Sequence, residues 1–277
     1  MENNFNKMST GALFSPVDVR DYRLACVGNE AEFPETFELK MPKVKNQKNV
    51  GSCVAHSIAE TVEYFNILQN NNNTTMSTNY IYGNRTGMNY SGEGMYTRKA
   101  VANTCKYGDV PESDFPGNTE VPNVINEFED KKYSLYDKGV PYRFSSYYSV
   151  KSKNEIKTSL MKNGPVIFAM PWYDDIKVVD GIIQTQQQGD AGGHCMVIYG
   201  WNADGWLIQN SWSENWGNKG RAILPYDVKI REAYGIVDNI TNDTEIIKPY
   251  SGQYTDIIAK VVNWVINLLK NINQYKR

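Results

Sequence analysis

The chain has 277 residues, 41% of them apolar, and a formal net charge of −2. That length buries a full core, as one large domain or two compact lobes. The charge balance excludes a basic footprint for nucleic acid, and no run approaches the roughly 20 apolar residues that span a bilayer.

The polar start Met1-Glu2-Asn3-Asn4-Phe5-Asn6-Lys7 lacks the apolar run of a secretory signal. The expectation is a cytoplasmic protein, or one released without a conventional signal. Residues 1–32 read as an extended, irregular N-terminal extension broken by Pro16 and Gly28. The first strong helix follows Cys53, with Val54, Ile58, Val62, Phe65 and Leu68 at helical spacing, and stops at the polar run 70–75. A second helix is predicted over Thr97–Lys106, ended by Gly108. Residues 109–150 show little periodicity. A short helix spans Glu155–Asn163 and stops at Gly164-Pro165. From Val166 the pattern turns to β: Val166–Met170, Cys195–Tyr199, Trp206–Ile208 and Arg221–Leu224 are predicted strands, with Asn202–Gly205 as a turn between the second and third. Helices in the first half and strands in the second make an α+β protein with a helical lobe and a sheet lobe.

Four cysteines, Cys26, Cys53, Cys105 and Cys195, form no CxxC pair, and there are two histidines. Few ligands are left for zinc, so neither a metal nor a cofactor is expected. Cys53 opens the first helix, where unpaired N–H groups carry partial positive charge and stabilise a thiolate, the form in which sulfur is a nucleophile. Taken alone, a cysteine there is more often just a small buried residue. His194 enters a strand behind Gly192 and Gly193, which leave room for a substrate backbone. Asn210 stands across the strand turn from it, so its amide oxygen is placed to accept from the imidazole and fix the tautomer.

These segments together resemble the papain family of cysteine peptidases: Gln47, then Cys53 six residues later within Gly-Ser-Cys; His194; and Asn210 within Asn-Ser-Trp-x-x-x-Trp-Gly-x-x-Gly. Weaker matches are residues 107–116 and Asn163-Gly164-Pro165-Val166. The resemblance covers residues 33–240 as the peptidase domain. It implies a two-lobe fold, helical on one side and a β-barrel-like sheet on the other, with the active-site cleft between. It implies Cys53 as nucleophile, His194 as base, Asn210 holding the imidazole, and Gln47 with the Cys53 N–H as oxyanion donors. Trp212 would shield the His194–Asn210 bond from water. Gly92, Gly94, Met95, Val166 and Gly192, with Gly193, would line an apolar, fairly open substrate site. Peptide bonds of protein or peptide substrates would be hydrolysed through a thioacyl-enzyme. A cell-wall peptide hydrolase or a transpeptidase with the same triad is the alternative, and no nucleic acid is expected as a partner.

The departures carry information. Val54 replaces the tryptophan usual after the nucleophile. Val50 replaces a disulfide cysteine. His56 stands where a phenylalanine is common; it is expected to pack or face solvent, with a rival role as base the lesser reading. Cys195 should point to the opposite strand face from His194 and be an inert thiol. Residues 1–32 are shorter than the inhibitory segments typical of the family. They are read as a structural arm, with a short pro-segment plugging the cleft as the rival. In the tail, 241–277, apolar residues from Ile257 to Ile272 recur at helical spacing. Its amphipathic helix has its own domain, a partner or a membrane surface to dock on.

Overall fold

The computed structural model describes residues 9–16, 18, 33–85, 93–116 and 123–238. The predicted C-terminal helix, Cys26 and Gly92 lie outside them. The first long helix, α1 (Cys53–Asn70), is buried on all sides from Cys53 to Asn66, as a helix is that runs through the middle of a protein. It ends where Asn71 takes a left-handed φ of 50° and returns its N–H to the Ile67 carbonyl, a conformation asparagine tolerates better than most residues. Around it lie α2 (Thr78–Gly83), α3 (Thr97–Tyr107) and α4 (Asn123–Gly139). The 17 residues of α4 fall in the stretch read as aperiodic. Its buried Val124, Phe128 and Leu135 leave an apolar stripe interrupted by Lys131 and Lys132, and edge-on contacts of Phe128 with Tyr80 and Phe115 complete its packing.

Chain order brings short strands β1 (Ala12–Leu13), β2 (Phe37–Glu38), β3 (Met95–Tyr96) and β4 (Ser146–Ser149), then α5 (Lys153–Lys162). The capping box of Ser152 and Glu155 starts α5. The remaining strands are β5 (Val166–Tyr173), β6 (Lys177–Val179), β7 (Ile182–Gln184), β8 (Ala191–Trp201), β9 (Gly205–Gln209), β10 (Arg221–Pro225) and β11 (Glu232–Val237). They form one sheet in the order β4-β11-β5-β8-β9-β10-β7-β6, with β2 added on β8. The four predicted strands are the sheet's central members.

Strand alternation divides the core. Ile167, Ala169, Cys195 and Val197 join α1 to α4 in the helical-lobe cluster. Val166, Phe168, Met170, Met196 and Ile198 pack with Trp201, Trp212 and Trp216 in the sheet-lobe cluster. The fold is the expected α+β arrangement of two lobes, and β8 is the wall between them. No helix among the described residues is long and apolar enough to cross a membrane.

Candidate active site

Four sequence segments converge where α1 starts against the mouth of β8. Cys53 is the first residue of α1 and is wholly buried. Its sulfur is approached by the backbone N–H groups of Cys195, Gly11, Val54 and Cys53 itself. His194 on β8 is also wholly buried. Its Nε2 lies 2.8 Å from Asn210 Oδ1, so Nε2 is the protonated nitrogen, while Nδ1 has no hydrogen-bond partner. Asn210 is fixed from both sides: its N–H donates to the Gly220 carbonyl at 3.0 Å and its Oδ1 also accepts from Ser211 N at 2.7 Å.

The imidazole packs against two indoles that also meet each other edge-on. Trp212 stacks on it with centroids 4.5 Å apart, and Trp172 meets it edge-on at 5.1 Å. Trp212 was expected here; Trp172 was not. Trp172, one residue before the end of β5, pairs with Gly192 on β8, and its only sequence signal was an aromatic at the end of an apolar run.

Gln47 lies across the cleft mouth. Its Oε1 accepts from Ser211 Oγ at 2.6 Å, which turns its amide nitrogen toward the site. That Nε2 donates to the Ser9 carbonyl at 2.7 Å and to the Val50 carbonyl at 3.0 Å.

The Ser9 contact belongs to a larger one. Gly11 donates its N–H to the Gly193 carbonyl at 3.0 Å, and its own carbonyl accepts from Met95 N at 2.8 Å. Beyond it, β1 runs parallel to β3, Ala12 beside Met95 and Leu13 beside Tyr96. Ser15 N then donates to Glu232 Oε2 at 3.1 Å, and Asp18 pairs with Arg98 at 3.0 Å. The approach is so close that a Cβ on Gly11 would overlap the Gly51 carbonyl oxygen, and one on Gly193 the Ala12 carbonyl oxygen. Residues 9–13 therefore occupy the groove that Gly94, Met95, Gly192 and Gly193 were predicted to line.

Val166 is a correction. It is wholly buried in the sheet-lobe cluster, opposite Ile198, whereas Cys53 and the groove-filling Ala12 belong to the helical-lobe cluster. A strand presents alternate residues to alternate faces, and Val166 lies on the face turned from that groove. Ala169, paired with Cys195 and in the helical-lobe cluster, is the β5 residue on the cleft side. Cys195 itself is buried and turned from His194 as predicted; Cys53, Cys105 and Cys195 are all free thiols.

Burial reverses one electrostatic expectation. The helix N-terminus does lower the Cys53 pKa through its N–H groups, but desolvation outweighs it and pushes the thiol up to about 11. Desolvation likewise pulls His194 down to about 4, against the opposing hydrogen bond to Asn210. With the groove filled, the site holds a neutral thiol beside a neutral imidazole.

Known proteins share the family and the fold. Residues 33–242 match the family described as papain family cysteine protease. A cathepsin B-like cysteine proteinase of Caenorhabditis elegans is 26% identical over 235 residues, spanning 69% of this chain and 70% of that protein. An uncharacterized peptidase C1-like protein of Acanthamoeba polyphaga mimivirus is 25% identical over 243 residues, spanning 80% and 77%. Xylellain, a cysteine protease from Xylella fastidiosa, shares the fold with a TM-score of 0.73 at 21% identity, over 84% of this chain and 97% of that one. A family match over residues 33–242, most of the chain, leaves one conclusion: the chain belongs to the papain family of cysteine proteases.

Proposed function

We propose that this peptidase hydrolyses peptide bonds through a Cys53–His194–Asn210 triad and a thioacyl-enzyme. The observation that carries the reading is the 2.8 Å bond from His194 Nε2 to Asn210 Oδ1. It commits one imidazole nitrogen and leaves Nδ1, buried and unpartnered, as the one that serves the thiol. Cys53 Sγ attacks the substrate carbonyl carbon and its proton passes to Nδ1. The tetrahedral oxyanion is held by Gln47 Nε2–H and the Cys53 N–H; that Gln47 Nε2 already donates to a peptide oxygen, the Ser9 carbonyl, supports its part in this. Collapse expels the amine, which takes the proton from Nδ1. Water, deprotonated by the same nitrogen, then cleaves the thioester. The purified protein offered denatured casein and, separately, purified peptidoglycan is expected to cleave the casein, and a cysteine-directed epoxide to stop it. Turnover of peptidoglycan alone would replace this reading with a cell-wall hydrolase.

The N-terminal extension belongs to the same proposal. Residues 9–13 fill the groove, present sulfur with the Gly11 N–H instead of an electrophilic carbon, and keep water from Cys53 and His194. The extension is read as a restraint on activity. A chain beginning at Glu32 is expected to hydrolyse peptides faster than the full chain, with a melting temperature lowered by no more than a few degrees. Its Cys53 should react with iodoacetamide at neutral pH, whereas in the full chain the partly exposed Cys105 should react before Cys53. A large fall in melting temperature with no gain in activity makes the extension a structural arm.

A further inference from the structure

Glu93 brings a carboxylate to a groove otherwise walled by glycines and apolar side chains. It is exposed, and none of the ion pairs among the described residues uses it. The backbone beside it is fixed. Gly94 N donates to Tyr82 Oη at 3.2 Å, and Met95 N donates to the Gly11 carbonyl at 2.8 Å. Gly94 turns the chain between them with a left-handed φ of 89°, which glycine takes without strain. Arg85 is wholly buried and lays its guanidinium over the Tyr82 ring, 3.9 Å from the centroid, so its charge is not offered to the groove.

Gly51, two residues before Cys53, ties this carboxylate to the reaction centre. A Cβ on Gly51 would stand 3.5 Å from Glu93 Oε2, 3.2 Å from the Thr10 carbonyl oxygen and 3.5 Å from Gly11 Cα. One point on the wall therefore meets both the carboxylate and the chain that lies over Cys53. That stretch of the extension, from Ser9 to Phe14, carries no charged residue. It passes Glu93 with a carbonyl and a bare Cα, and gives the carboxylate no cation to hold.

We propose that Glu93 determines specificity: it selects substrates in which the residue supplying the attacked carbonyl is lysine or arginine. The amine that leaves takes its proton from His194, so the leaving half of the peptide lies over the histidine. The half that becomes the thioacyl group lies on the other side of the sulfur, along Gly51. With no side chain of its own, Gly51 leaves a path by which a long basic side chain runs along the wall to Glu93 Oε2. The site stays open to water, so the pairing discriminates between substrates by a modest factor. An acidic side chain at the same place is disfavoured by like charge.

The inference rests on the triad reading, and its test separates the two. The full-length protein is given two peptide amides in one tube, identical except for arginine or citrulline at the residue whose carbonyl is attacked. Citrulline keeps the shape of arginine and loses the charge. Both peptides compete for the same molecules, so the ratio of their kcat/KM values does not depend on how much of the protein has its groove open. Arginine is expected to be preferred by about 5-fold, the upper end of what an exposed ion pair supports, and the preference should shrink at high salt. Glu93→Gln should bring the ratio to about 1, and Glu93→Lys should invert it, as like charge replaces opposite charge. Arginine moved to the leaving side of the bond should show no preference that follows Glu93. A ratio that Glu93→Gln leaves unchanged overturns the inference. So does a loss of both substrates with the ratio held, or a preference that follows Glu93 only from the leaving side. If Cys53→Ala keeps activity, the triad reading itself has failed, whatever the Glu93 variants do.

Discussion

Cys53→Ala is expected to yield a folded protein that hydrolyses no peptide bond. The proposed nucleophile is the Cys53 sulfur, and the neighbouring hydroxyls of Ser52 and Ser211 are engaged with His56 and Gln47. Removing a triad nucleophile costs roughly 10⁴- to 10⁶-fold in turnover, leaving only what binding and oxyanion stabilisation supply. Cys53 lies in the helical-lobe core, so deleting its sulfur leaves a small void worth on the order of 1 kcal/mol, and the melting temperature should fall by only a few degrees. Activity against casein and a thermal melt, read side by side, check both halves. Retained activity in the folded variant sinks the assignment of Cys53.

His194→Ala is expected to be nearly as severe, on the order of 10³-fold or more in kcat, because base and acid are lost at once. The imidazole also packs against Trp172 and Trp212. Some loss of stability therefore accompanies the change, and His194→Gln, closer in volume, is the companion variant. Both should stay folded and inactive from pH 5 to 8. Full turnover in either, or inactivity caused by His56→Phe alone with His194 dispensable, would overturn the roles drawn for the two histidines.

The site was legible in the sequence because each of its residues sits where chemistry and backbone coincide: a cysteine at a helix start, a histidine behind two glycines, an asparagine just past a strand turn. Local pattern placed α1, β5, β8 and β9 for the same reason. What escaped was set by tertiary context. The three buried apolar positions of α4 are too widely spaced to outweigh the lysines between them. Val166 and Ala169 are both apolar, and which of them meets the Cys53 side depends on which face of β5 packs against α1, which only the fold fixes. The extension was hardest of all, since an extended segment docks by backbone hydrogen bonds and carries no periodicity that says where.

The parallel pairing of β1 with β3 has a consequence for how such an enzyme responds to its surroundings. The occupant of the groove is part of the same molecule, so its local concentration is set by chain length, at around millimolar, and does not change when the protein is diluted, concentrated or overproduced. A diffusible inhibitor titrates away as enzyme accumulates; this one never does. On the restraint proposed above, substrate has to outcompete a fixed internal rival, and activity is expected to climb only as substrate displaces it. A single cut between the extension and Phe33 would convert this graded response into a permanent one.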